Sequence, residues 1–219
     1  LAGGSNAKPQ ASVGASTRAT LSGVVTQASS VNVEADSNNV AIADNALVAI
    51  SVFAGVGGAT PTASIESTAT TDALLDGSVS NVVGGVTIES MARGYAHAVT
   101  QSSNGGTVAV AESSPRAYAQ GSSTAKLTGS VGDTGIAGAN TVSVKALSNT
   151  SAKSETRAVV AGGITVGNSY AYAYNGSKTE AGIGAGSKVV TRGNIDVLAN
   201  GFADADSTTF SSGKALVAI

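Results

Sequence analysis

The chain has 219 residues, 42% of them apolar but only 4% aromatic, with 28 glycines, no tryptophan and no cysteine. Its apolar content is therefore mostly alanine and valine, which suit a narrow interior rather than a thick globular core. The 12% charged fraction and net charge of −2 argue against both a disordered chain and a nucleic-acid partner, which would call for a basic stripe. The glycines follow no three-residue period, as collagen requires. No apolar run approaches the roughly 18 residues of a transmembrane segment. With no cysteine, the redox compartment stays open.

In chain order, the predicted elements form four copies of one unit of about 55 residues, with approximate bounds 1–52, 53–108, 109–161 and 162–219. The first anchor is an alternating pentamer, Val31-Asn32-Val33-Glu34-Ala35. It returns as Val86 to Ser90, Val142 to Ala146 and Ile195 to Ala199, after 55, 56 and 53 positions. A second anchor matches Leu47-Val48-Ala49-Ile50 with Thr107 to Val110, Val159 to Gly162 and Leu216 to Ile219. A third comes from the only three prolines, Pro9, Pro61 and Pro115, which share one phase. Proline fixes φ and has no N–H to donate, so it marks a strand entry or a corner. The fourth copy of that phase is placed at Lys178 to Ile183, without the proline, after an insertion around Asn168 to Ser177. Ile219 falls in the phase of Ile50 and Leu1 in that of Phe53, so the simplest reading is a window of a longer array.

Local patterning is strand. Val31–Ala35, Thr141–Ala146, Ser169–Tyr174 and Ala203–Ser207 alternate with period two. Turn signals such as Asp76-Gly77, Asn104-Gly105-Gly106 and Gly132-Asp133 separate the alternating stretches. The alanine-rich stretch Asp44–Ala54 is interrupted by β-branched residues and followed by three glycines, which argues against a helix. The fold class expected is all-β, a parallel β-solenoid (β-helix) of four tandem repeats, in which Val33, Ile88, Val144 and Val197 stack inward along one axis. Each repeat is either one broad coil or two to three small ones; at about 18 to 28 residues per coil the chain would make roughly 8 to 12 coils. The runner-up is a series of antiparallel sandwich modules.

Val142-Ser143-Val144-Lys145-Ala146-Leu147-Ser148-Asn149-Thr150, a V-x-V-x-A segment running into Ser/Asn/Thr alternation, resembles the repeats of giant bacterial exoproteins, the filamentous-haemagglutinin-like and leukotoxin-like adhesins. That resemblance covers the whole chain in composition and carries over no catalytic or binding motif. It implies a secreted, cell-surface β-helical stalk, self-associating and adhesive, with biofilm-type roles.

Candidate sites are few. His97 is the only histidine, and its nearest acids in sequence are Glu89 and Glu112, so no catalytic or metal constellation is expected and no cofactor is called for. Asp204-Ala205-Asp206 puts two carboxylates on one strand face, the spacing of a Ca²⁺ bridge, but the other copies lack them. Gly55-Val56-Gly57-Gly58 and Gly162-Gly163 read as tight corners. Tyr170, Tyr172 and Tyr174 alternate with alanines and are the candidate binding residues, projecting outward for lateral contact or for stacking on sugars, with Tyr95 and Tyr118 extending the patch. The function expected is a structural repeat of a surface adhesin or extracellular filament, not an enzyme. The alternatives are a carbohydrate-binding β-helix module and, behind it, a polysaccharide-cleaving β-helix. The expected partners are further repeats or copies of itself and surface carbohydrate, with no nucleic acid and no transmembrane segment.

Overall fold

The computed structural model describes residues 2–133 and 135–218. The phase matches drawn for Leu1 and Ile219 lie outside them. The described residues contain strands and turns and no helix, and every ladder between strands is parallel, which overturns the antiparallel-module alternative. One six-stranded sheet holds the long strands Val31–Ile50, Gly85–Ser113, Thr141–Ser169 and Ile195–Ala218, with the short Ala2–Ala7 and Ala54–Ala59. Three four-stranded sheets follow in chain order, typified by Arg116–Ala119, Ser122–Leu127 and Ser130–Val131. Between visits to the long sheet the chain passes through each smaller sheet once and returns one strand further on. This is consistent with a β-solenoid.

The register sets what stacks on what. Ile88 pairs with Val33 and with Val144, and Val144 pairs with Val197. Ile88 and Val144 are fully buried, while Asn32 and Glu34 beside Val33 face solvent. Period-two alternation sends every second side chain inward, and a neighbouring rung of matching pattern covers it. Partners lie 53 to 56 positions apart along this anchor, so adjacent strands of the long sheet are a whole repeat apart. The small 18-to-28-residue coils are not formed.

Two phase assignments are corrected. Leu47–Ile50 pairs with Ser102–Gly105, not with Thr107–Val110, and Val108 pairs instead with Ala54 and Ile164. Val/Ala runs occur on both sides of the bend in each long strand, so composition alone cannot assign them. The proline phase of the last rung belongs to Ala171, because Tyr172 N–H donates to the Pro115 carbonyl (3.1 Å) as Arg116 does to Pro61 (2.9 Å). Lys178–Ile183 pairs one sheet further on, with Ser122–Leu127. The extra residues are elsewhere: in the loop 132–140, where Gly132 and Gly135 take positive φ, and at 184–187 around Gly186.

The interior has three parts. Val86, Ile88, Val142 and Val144 pack against Leu75, Leu127, Val79 and Val131. Ala96, Ala98, Ala117, Ala119 and Ile65 fill a thinner middle. At the tip the long strands fold back: Asn104 Nδ2 donates to the Val110 carbonyl (3.1 Å), and Ala109, Ala111 and Val160 close the end. Between the first two parts runs a line of hydroxyl pairs, Ser37 with Thr71 and Ser90 with Ser123 (2.8 Å) buried, and Ser148 with Thr179 (2.6 Å) partly buried. Each hydroxyl satisfies the other where water is absent.

Glycine is required at one corner. A Cβ on Gly77 would run into the Gly23 carbonyl oxygen, and one on Gly129 into that of Gly77. Gly55–Gly58, expected as a corner, instead lies in strand Ala54–Ala59, where a Cβ on Gly57 would strike the Asn104 side chain. Gly162 pairs with Gly106 at the bend itself.

The same truncation should cost differently along one column. Val144→Ala removes two methyls from a fully buried site and should destabilise by about 2 kcal/mol, whereas Val197→Ala, at a site 48% exposed, should cost less than half of that. Urea titrations of the two variants check this; equal losses would place the two valines in unrelated environments. Val144→Asp, an unpaired carboxylate in the same dry position, should cost more than either.

Candidate functional site

The sheet containing Arg116–Ala119 and Tyr172–Asn175 carries the aromatic face. Pro9, Pro61 and Pro115 precede its first three strands and hold the corner, each proline carbonyl accepting a hydrogen bond from the next rung. Beyond the corner, alternation turns Ala63, Ala117 and Ala173 toward the second core cluster. The intervening side chains therefore face solvent. Tyr170, Tyr172 and Tyr174 are 46%, 43% and 43% exposed, with Ala171 and Ala173 between them half-buried.

The register seats Tyr118, expected to extend this patch, on the adjoining strand, and adds Arg116, which the sequence did not bring to it. Tyr118 pairs with Tyr174 and Arg116 with Tyr172. The Tyr118 and Tyr172 rings lie 5.7 Å apart at 50°, a tilted aromatic pair. Arg116 Nη2 donates to the Tyr170 hydroxyl (3.2 Å). A Cβ on Gly176 would lie 2.7 Å from the Tyr174 ring, so the glycine lets that ring fold over the strand end. Tyr95 does not join the patch. It lies half-buried on the long sheet, its ring 5.5 Å from that of His97.

A second feature is an open groove of ≈ 530 Å³ on the outward face of the long sheet, lined by Asp44, His97, Gln101, Glu155 and Arg157 among others. Adding one repeat length to His97 reaches Lys153, its register partner, and two residues on is Glu155. Thus Glu155 Oε1, not Glu89 or Glu112, is the acid facing His97, at 4.0 Å from Nε2. Lys153 Nζ lies 2.6 Å from the same oxygen and holds the Glu155 carboxyl below the usual carboxylate range. Glu155 is thus an ionised acceptor. Asp204 and Asp206 pair with Ser151 and Lys153 and are both exposed. Among the described residues no three His, Asp or Glu side chains converge as a metal site would need. No helix of the structure is long and apolar enough to cross a membrane.

Compared with protein-family models, with curated proteins and with solved structures, the chain finds no match in any of the three.

The Lys153–Glu155 pair gives a signed pH dependence. Because the folded-state pKa of Glu155 is depressed from its ordinary value of 4.5, its contribution is present above that value and is lost as pH falls through the lower folded-state pKa. Glu155→Gln should therefore be less stable than the parent at pH 7, with the gap closing on acidification. Urea midpoints of both proteins at pH 7 and at pH 3 check this; a gap that widens at low pH would contradict the pairing.

Proposed function

We propose that this chain is a structural repeat segment of a secreted bacterial surface adhesin or extracellular filament, working by extension and stacking rather than by catalysis. In this reading the four sheets close into one solenoid of four rungs. At ~4.8 Å per rung, the first and last rungs stand roughly 14 Å apart.

The observation that carries the proposal is the state of the last rung. Ile195 and Val197 are 45% and 48% exposed, whereas their register partners Val142 and Val144 are at 0%. Among the described residues the strand Ile195–Ala218 has a partner on one side only. A parallel edge of 24 residues with open backbone groups and half-covered apolar side chains is a template for another strand. A further rung, from a longer chain or a second copy, satisfies both needs with the contacts that already hold the inner rungs together. The resemblance of Val142–Thr150 to adhesin repeats supports the surface role.

Light scattering and electron microscopy of the purified chain test the proposal. Rods or fibres that lengthen with concentration are expected, and Val197→Glu, which puts a charge on the open inward face, should shorten them. A particle that stays monomeric at every concentration while retaining an all-β circular dichroism spectrum would overturn the reading.

A further inference from the structure

From the aromatic face we infer a binding site for an acidic polysaccharide, a glycan chain bearing carboxylates. The inference goes beyond the stacking role: these side chains point off the flank of the rungs, although three of the four tyrosines stand on the last rung, at the same open end as the proposed stacking edge.

Two features select the ligand chemistry. The first is the set of rings. Four tyrosines occupy two adjacent rungs, three of them more than 40% exposed, on backbone held by ladders that leave the rings little freedom to withdraw. Tyrosine offers a flat apolar face for the C–H side of a sugar ring and a hydroxyl at its rim. The rung below continues the same columns with Thr62 and Ser64, the Ser64 hydroxyl being hydrogen-bonded to the Glu66 carboxylate.

The second feature is the charge. Arg116 stands within the tyrosines, bonded to the neutral Tyr170 hydroxyl and making no ion pair among the described residues. A guanidinium has five N–H donors in a fixed fork, and a carboxylate is its planar complement. The Tyr170 and Tyr118 phenols engage part of the fork, and donors remain for a uronate. With a net charge of −2, the protein as a whole offers no general attraction for a polyanion. Binding must come from this local arrangement.

Isothermal titration of the purified chain with polygalacturonate, and with dextran as a neutral polymer, tests the site. Saturable binding to polygalacturonate is expected, with dextran at least about tenfold weaker. Arg116→Gln should remove the preference for the charged polymer. The double variant Tyr172→Ala with Tyr174→Ala should weaken binding about tenfold or more, and Tyr172→Phe should retain most of it because the ring face survives. Circular dichroism and melting curves identify any variant that has lost the fold. Equal binding of both polymers, or binding unaltered in the folded Arg116 and tyrosine variants, would overturn the inference. So would a tyrosine variant that changes only the particle size in light scattering, because the face would then be a contact between copies. Failure to form rods, with polygalacturonate binding intact, would count against the filament reading alone.

Discussion

The structure depends on one constraint: each strand residue must sit directly above its counterpart from the previous turn, hydrogen-bonded through the backbone. Side chains in such a ladder stand one strand spacing apart, so a residue too large, charged or wrongly phased is felt by both neighbours. The repeats record the consequence. Leu21, Leu75, Leu127 and Ile183 form one column, Ala19, Ala73, Ala125 and Ala181 the next, and Val25, Val79, Val131 and Val189 another. Like packs on like because the available space repeats. The glycines at 77 and 129 obey the same rule in the negative: the Gly23 carbonyl occupies the place of a Cβ on Gly77, and the Gly77 carbonyl that of a Cβ on Gly129.

The constraint also explains the unusual composition. A turn flattened into a thin blade leaves room for alanine in its middle and for little at its tip, so the interior needs few aromatic residues. Small cores bury little area per residue, and backbone ladders with paired hydroxyls take up many of the polar groups, while the buried Thr100, Ser102 and Ser143 hydroxyls find no partner among the described residues. Ser154, buried beside the second core, donates to the Pro115 carbonyl (2.9 Å), and Ser113 pairs with Thr156 (2.6 Å). Large side chains and charges are consequently sent outward. That is how the tyrosines reach solvent, and how Arg18 meets Asp72 and Lys126 meets Glu180 across neighbouring rungs.

Much of this was legible in the sequence wherever alternation and recurrence coincided. The column Val33, Ile88, Val144, Val197 needed only the spacing and the period-two pattern, and the outward tyrosines needed only the alanines between them. What was not legible depended on the exact turn length. Strand periodicity does not say how many strands complete a turn, so broad and small coils read alike. The last rung was mis-phased by eight residues, at Lys178 instead of Tyr170, because its corner carries Ala171 where the others carry proline. Tyr118 was still grouped with the tyrosines, but that shift hid the pairing of Tyr172 with Arg116, the one charge on the aromatic face. Glu155 was missed as the neighbour of His97 for a related reason: the contact exists only across rungs. The tip was misread because the buried phase switches within each long strand, from Asn104 before the bend to Ala109 after it.

The most direct test of the in-register ladder is a set of spin–spin distances along one outward column. The chain has no cysteine, so pairs introduced at Asn32, Thr87, Ser143 and Asp196, which share one register position, can be labelled without background. Dipolar broadening should place Asn32 and Thr87 about 5 Å apart at the backbone, Asn32 and Ser143 about 10 Å, and Asn32 and Asp196 about 14 Å, steps of one strand spacing. Distances that do not increase in that order, or an Asn32–Asp196 pair beyond about 25 Å, where no stack of four adjacent strands can put it, would contradict the ladder.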